Sequence, residues 1–462
     1  MYPPGLEPYP LIGHLPQFLA NRHRVLDWMT EAPERQPTCT FVLRRPGGVR
    51  GAITANPAHV EHFLRGSFDN YPKGPRFASL LHDFIGRGIF NADGEAWRAQ
   101  RKVASHEFNT RLRGALRARR AARPPPPAAA RAAASGARLD LQDVLERFAF
   151  DNICRVAFDH DPRQLPDAGG DGTAHDSGFA DAFRDAASLS AGRFRYAVPG
   201  FWKIKKALNV GSERRLPESI AMVHDFADRI IQSRREEMRM RDGFEKHDLL
   251  SRFTASHDET YSESEVPLRD VVISFLLAGR ETTSSALTWF FWLLSSRPDV
   301  QRRIRGEVAT VRARRAQGDD VVGFDLDELR EMHNAHAAIT ESMRLYPPVP
   351  VNSLRAETDD VLPDGTAVEA GWFVAYNSYG MGRMESIWGH DAREYRPERW
   401  LNPADGTFRP DSPFWFVAFH AGPRLCQGKE MAYIQMKSIG RASSRTSTWP
   451  STARTAPGRA RR

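Results

Sequence analysis

Cysteine is scarce in this chain, with three in 462 residues, at positions 39, 154 and 426. Far apart and without pairing or metal-ligand spacing, they argue against a disulfide scaffold and a cysteine-rich zinc site, and favour a reducing compartment. Long hydrophobic runs are missing too. The nearest to a membrane span, Val271–Leu294, is broken at its middle by Arg280 and Glu281, which suits a buried helix with a functional centre. No signal peptide is expected at the start, and no internal repeat is visible. Acidic residues are absent from two segments, 111–138 and 440–462, which carry eight and six arginines. Setting those arginines aside turns the net charge of +8 into −6, so the basicity belongs to two unusual segments. A nucleic-acid footprint is thereby excluded for the body of the chain.

What is present is a long chain with 41% hydrophobic residues, enough for a substantial core. The spacing of apolar positions predicts helices at Gly94–Phe108, from Leu139, at Phe179–Leu189, at Leu216–Met240, through to Ser296 from an opening at Ser262–Glu265, at Pro298–Arg315 and at Leu326–Tyr346. Thr38–Arg44 and Val49–Thr54 read as a β-hairpin, and Asn56-Pro57 as a helix start. Val351–Ala356 and Val368–Val374 read as strands around the turn Pro363-Asp364-Gly365. Asn70–Asn91 and Pro162–Asp176 read as loops, the first covering a site. The expected architecture is mainly α with a small β portion, in one domain over 1–439. Segment 111–138, rich in arginine, alanine and proline, is expected to be low-complexity, and 440–462 a disordered basic tail.

Chemistry concentrates in Phe419-His420-Ala421-Gly422-Pro423-Arg424-Leu425-Cys426-Gln427-Gly428. A cysteine before a helix is favoured as the thiolate, glycines let a flat cofactor approach, and Arg424 supplies a permanent cation. That combination suits axial ligation of a haem iron, whose propionates need cationic partners. A buried structural cysteine is the plainer alternative. Trp97 and Arg101, four apart on a helix, would present an indole and a guanidinium to an anion, or else form a solvated basic face with Arg98 and Lys102. Ala278, Gly279 and Thr282 would open a gap along the long helix for a ligand as small as dioxygen, with Glu281 relaying protons; a close helix–helix contact explains the small residues equally well. Glu341 and Arg344 stand at i, i+3, and Arg399 would complete a buried cluster with them.

These stretches stand in the order and spacing of a cytochrome P-450, which the chain resembles over nearly its whole length outside 111–138 and 440–462. The match to F-x-x-G-x-R-x-C-x-G is complete over Phe419–Gly428. The wording around Asn70–Thr110, Leu139–Phe158 and Ala278–Ser296 resembles the plant fatty-acid ω-hydroxylase clan. The resemblance implies haem b with Cys426 as thiolate ligand, and Trp97, Arg101, Arg355 and Arg424 as propionate partners. It places Phe419 near the sulfur, Gly279 beside the cofactor, Thr282 and Glu281 at protonation of dioxygen, and Glu341, Arg344 and Arg399 in a structural triad. It further implies a monomer that takes electrons from NADPH through a cytochrome reductase and acts on a lipophilic acyl substrate near its terminal carbon. The location implied is the cytosolic face of the endoplasmic reticulum membrane, and an N-terminal anchor helix and C-terminal strands would belong to such a fold. Three other readings stand beside this one: a haem-thiolate isomerase or dehydratase, against which Thr282 and Glu281 speak; a catalytically impaired remnant; and a thiol nucleophile of Cys426 with His420.

Overall fold

The computed structural model describes residues 7–117, 140–162, 177–240, 248–259, 266–314 and 324–439. The basic tail, most of segment 111–138, nearly all of the polar loop after Pro162 and the Ser262–Glu265 helix opening lie outside the described residues. Among the described residues no helix is long and apolar enough to cross a membrane.

Helices dominate. They are α1 (Leu15–Ala20), α2 (Val25–Glu34), α3 (Pro57–Glu61), α4 (Gly74–Ile85), α5 (Gly94–Arg117), α6 (Leu141–Phe158), α7 (Ser177–Gly192), α8 (Phe201–Ala207), α9 (Ser212–Met240), α10 (Leu249–Glu259) and α11 (Leu268–Ser295). After these come α12 (Pro298–Ala313), α13 (Leu326–Arg330), α14 (His333–Leu345), α15 (Ser378–Met381), α16 (Glu385–Trp388) and α17 (Lys429–Ser438). The strands are β1 (Thr40–Arg44), β2 (Arg50–Thr54), β3 (Asn352–Arg355), β4 (Asp360–Val361), β5 (Ala367–Val368) and β6 (Phe373–Tyr376).

α11 is the axis of the molecule. Its apolar residues enter two cores, one with α6, α7, α9 and α10 through Val272, Ile273 and Leu276, the other with α12, α14 and α17 through Ala286, Leu287 and Phe290. A helix apolar on most sides is stable only inside other helices, which is where this one lies. Its half-buried residues Ala278, Glu281, Thr282, Ser285 and Trp289 fall at helical spacing and form a single stripe.

Several elements differ from the sequence reading. The stretch Asn70–Asn91, expected as a loop, contains α4, whose Leu80, Phe84 and Ile85 are buried. Pro75 sits in its first turn, where a missing N–H costs nothing. α5 runs to Arg117, past the expected end at Phe108. The expected helix Leu326–Tyr346 is two, because Met332 leaves the helical region and the Glu307 carboxylate caps the second, accepting from the N–H groups of Asn334 at 2.7 Å and Ala335 at 3.0 Å. The turn at Pro363–Gly365 joins only the short β4 and β5, and β6 begins at Phe373 after Gly371, whose φ of +85° breaks the expected strand. β6 pairs parallel with β2 and antiparallel with β3, giving the order β1-β2-β6-β3 with Ile53 opposite Ala375 and Ala375 opposite Ser353. The β1–β2 hairpin forms as expected, and Asn56 caps α3 by accepting from the Ala58 N–H at 3.0 Å.

Candidate haem-thiolate site

Cys426 is held by its backbone. Its N–H donates to the Phe419 carbonyl at 2.8 Å, closing the loop between a short helical turn at Val417–Phe419 and α17. His420 and Gly422 adopt left-handed φ values of 58° and 61°. At Gly422 a Cβ would stand 1.9 Å from the Leu64 carbonyl oxygen, so only glycine lets the loop press on the turn at His62–Gly66. Gly428 has an ordinary φ of −84°. Its contribution is an N–H bonded to the Cys426 sulfur.

Cys426 is exposed on its loop. The atoms packed around its sulfur raise its pKa, while the Gly428 N–H at the helix start, Arg101 and Lys429 pull it down, in the direction of the thiolate. A thiol here loses its proton when it meets a metal, as ligating sulfurs do. The sulfur opens on a cleft of about 510 Å³ lined by Trp97, Arg98, Arg101, Lys102, Leu425 and Gln427. His420 is not its partner, for its Nδ1 shares a hydrogen bond of 2.5 Å with the Tyr376 hydroxyl. Burial and the cations Lys73, Arg424 and Arg101 push the His420 pKa down to about 3, so the ring is neutral, and the thiol-nucleophile pairing has no geometric support.

Trp97 lies between two guanidiniums, Arg424 at 4.6 Å and Arg101 at 5.6 Å from the ring. Arg101 donates to the Leu425 carbonyl at 2.5 Å, tying α5 to the cysteine loop. Arg424 donates to Asp93 at 2.6 Å, and its Nε is buried without a hydrogen-bond partner. Lys73 is buried beside it, and among the described residues no carboxylate forms an ion pair with its ammonium group. Burial first, then Arg424, push the Lys73 pKa down to about 7 against the pull of Asp93. The sequence reading missed Lys73; its only signal was a lysine before glycine and proline at a helix start. Arg355 borders this set without entering it: its N–H donates to the Pro72 carbonyl at 2.8 Å, and its guanidinium pairs with Glu357 at 3.0 Å. Phe419 presents its ring to Tyr433, at 5.3 Å between centroids.

On α11, the Thr282 hydroxyl donates to the Ala278 carbonyl at 2.6 Å. Glu281 is paired with Arg280, and burial raises its pKa. Arg280 is buried and donates to Glu146 at 2.9 Å and to the Ala180 carbonyl at 3.2 Å, so one guanidinium joins α6, α7 and α11. Gly279 is corrected: a Cβ there would meet the Ile153 side chain at 2.4 Å, so its small size serves the contact with α6 and opens no gap for a ligand. Glu341 and Arg344 are bidentate at 2.7 and 2.8 Å. Arg399 approaches Glu341 at 3.6 Å but bonds mainly to Asp391 at 3.0 Å, and Trp400 Nε1 donates to Glu341 at 2.8 Å.

The residues fit a haem. Three cations, Lys73, Arg101 and Arg424, face one nearby carboxylate, Asp93, and leave an excess of positive charge that two propionates would balance. One sulfur on an open cleft, with no cluster of metal-ligating side chains among the described residues, suits a single axial ligand to a metal held by its own macrocycle.

Comparison with known proteins agrees. A family model described as Cytochrome P450 (here written P-450) matches residues 3–440. Cytochrome P-450 CYP94D108 of Paris polyphylla is 50% identical over 432 residues, covering 92% of this chain and 83% of that protein. Cytochrome P-450 94A1 of Vicia sativa is 43% identical over 441 residues, covering 93% and 82%, and cytochrome P-450 94B1 of Arabidopsis thaliana is 44% identical over 441 residues, covering 93% and 83%. The chain belongs to the cytochrome P-450 family and is a haem-thiolate monooxygenase.

Proposed function

We propose that this monooxygenase hydroxylates a fatty acid, or an acyl-derived acid, at or near the terminal carbon, with electrons from NADPH delivered by a cytochrome reductase at the endoplasmic reticulum membrane. The observation that carries the haem chemistry is the Cys426 sulfur open to a cleft whose rim holds Trp97 and Arg101. The acyl substrate rests on the resemblance of Asn70–Thr110, Leu139–Phe158 and Ala278–Ser296 to the fatty-acid ω-hydroxylase clan, together with the similarity to family-94 proteins.

When bound, haem supplies dioxygen activation and insertion of one oxygen atom into an unactivated C–H bond, favoured by thiolate ligation. The chain's own residues do the rest. Cys426 supplies the ligand, and its loop, fixed by the bond to Phe419 and by Gly422 against Leu64, sets where that ligand stands. Lys73, Arg101 and Arg424 hold the propionates. Thr282 keeps its proton on the Ala278 carbonyl and has oxygen lone pairs to spare, so its Oγ1 can accept a hydrogen bond from a water that delivers a proton beside the cofactor. Glu281, raised by burial and steadied by Arg280, is the nearest group on the same stripe able to resupply that proton.

The test is reconstitution of the full chain with haem, a plant cytochrome reductase, NADPH, ¹⁸O₂ and dodecanoic acid. The expected product carries one labelled oxygen at the terminal carbon. In Thr282→Ala, product formed per NADPH consumed should fall by about tenfold or more, the scale of a lost proton-transfer group. Product that forms without NADPH would instead support the isomerase reading.

A further inference from the structure

The loop that carries Cys426 holds one residue in a conformation its type avoids. His420 has φ 58° and ψ −173°. That corner of backbone space belongs almost entirely to glycine, because a Cβ there crowds the neighbouring peptides, and keeping another residue in it costs about 1–3 kcal/mol. Asp159, which also has a positive φ, sits instead in the ordinary left-handed region, at φ 46° and ψ 40°, where helices commonly end. The place of His420 matters because its peptide bond to Phe419 is clamped at both ends. The Phe419 carbonyl accepts from the Cys426 N–H at 2.8 Å, and the His420 N–H donates to the Val417 carbonyl at 3.0 Å. A change of φ at His420 turns this peptide against the rest of the loop, and with it the acceptor that fixes the sulfur-bearing residue.

What holds His420 there comes from outside the loop. The Tyr376 hydroxyl lies 2.5 Å from its Nδ1, and the two rings meet edge to face with centroids 6.2 Å apart. The imidazole is neutral, and the hydroxyl has no other hydrogen-bond partner among the described residues, so the phenol donates and Nδ1 accepts. Tyr376 is a firm anchor. It is 1% exposed and ends β6, the strand between β2 and β3, opposite Thr54 on one side and Asn352 on the other. The next N–H, that of Asn377, donates to the Thr54 carbonyl at 2.9 Å.

We propose that Tyr376 is a positioning residue for the haem ligand: its hydrogen bond keeps His420 in the strained turn, and the turn aims the Phe419 carbonyl at the Cys426 N–H. The loop then has two fixed points outside itself. Gly422 rests on the Leu64 carbonyl, and His420 hangs from the sheet through Tyr376. Partners of this kind, one step removed from the metal, decide where a ligand stands. With glycine at 420 the turn needs no holding, and the role of Tyr376 disappears. That dependence separates a strut for the ligand from a bond that only stabilises the sheet.

The test compares haem-loaded full chains: the parent, Tyr376→Phe, His420→Ala, His420→Gly, and Tyr376→Phe combined with His420→Gly. The reading is the Soret band of the ferrous carbonyl complex, whose position reports whether the iron keeps its thiolate, followed as urea is added below the unfolding transition. In Tyr376→Phe the ratio of thiolate-free to thiolate-bound complex should rise about fivefold, the scale of one neutral hydrogen bond. His420→Ala should lose the thiolate at least as readily, since alanine keeps the crowded Cβ and has no ring for Tyr376 to hold. His420→Gly should stay within about twofold of the parent, and adding Tyr376→Phe to it should change the ratio no further. Equal thiolate loss in His420→Ala and His420→Gly overturns the strut. So does a Tyr376→Phe effect that persists with glycine at 420, or a lower melting temperature in Tyr376→Phe with thiolate retention unchanged. Should Tyr376→Phe take up no haem, the double variant decides: uptake restored by glycine supports the strut, and uptake still absent overturns it.

Discussion

Two buried sets of cations in this protein are built to opposite rules. In the knot around Arg344, every charge is answered: Glu341 takes two of its bonds, the Ala392 and Glu394 carbonyls take others at 2.6 and 3.0 Å, and Gly382 takes one more. Glu341 in turn accepts from Trp400 and from the Arg396 N–H at 2.9 Å. Around Trp97, by contrast, Asp93 pairs with Arg424, no carboxylate among the described residues forms an ion pair with Lys73 or Arg101, and Arg424 keeps a buried Nε–H with no acceptor. A closed network fixes architecture, here the position of the loop 382–400 on α14. An open one is completed by something that is not protein, and its sign says that the missing partner is an anion.

The sharpest way to break the comparison is to open the closed knot. Arg344→Ala leaves Glu341 charged, buried and without its bidentate partner, and orphans three carbonyls. The expected loss is about 3–5 kcal/mol, enough to consume much of a marginal protein's stability, and urea unfolding of the haem-loaded chain measures it. An unfolding midpoint that stays put would mean the knot is not what holds the loop.

Asp93→Asn attacks the open set. The amide keeps one oxygen, so it can accept from the Lys73 or the Gly74 N–H but not from both, and Arg424 loses its ionic partner. A cost of about 1.5–3 kcal/mol is expected in the haem-free protein, the range for a hydrogen bond to a charged group. In the haem-loaded protein the cost should be smaller, because propionates also answer Arg424. Equal costs in the two forms would show that the cations do not meet the cofactor.

The contrast also explains what was legible in the sequence. Cys426, the Glu341–Arg344 spacing and the long α11 were readable because each depends on residues close together in the chain. Glu146 and the Ala180 carbonyl, which hold Arg280, lie 134 and 100 residues away in the chain and left no local mark. Gly279 shows the opposite failure: its small size was plain, but only packing reveals that Ile153 uses it. α4 was overlooked because Gly74 and Pro75 look like loop residues, although Phe77, Leu80, Leu81 and Phe84 stand at helical spacing. The strand at Phe373 was drawn too early because periodicity cannot see the positive φ of Gly371.

The smallest expected effect is also the most direct reading of the open set. Lys73 has a pKa near 7 in the fold, against 10.5 for its ordinary value. Below pH 7 folded and unfolded chains both hold this proton, and the folded chain bears the cost of a buried cation. Between about pH 7 and 10.5 the unfolded chain binds more protons at this site than the folded one, so haem-free stability should rise with pH across that window. Lys73→Met removes the cation. It should stabilise the haem-free protein at pH 6 on the order of 1 kcal/mol and flatten the rise above pH 7, as urea midpoints at a series of pH values would record. In the haem-loaded protein a propionate near the ammonium group restores the charged form, so the parent's rise should vanish there, and the same substitution should weaken haem retention. A parent slope identical with and without haem would mean that Lys73 faces no anion, and the open set would then hold only two cations for the cofactor.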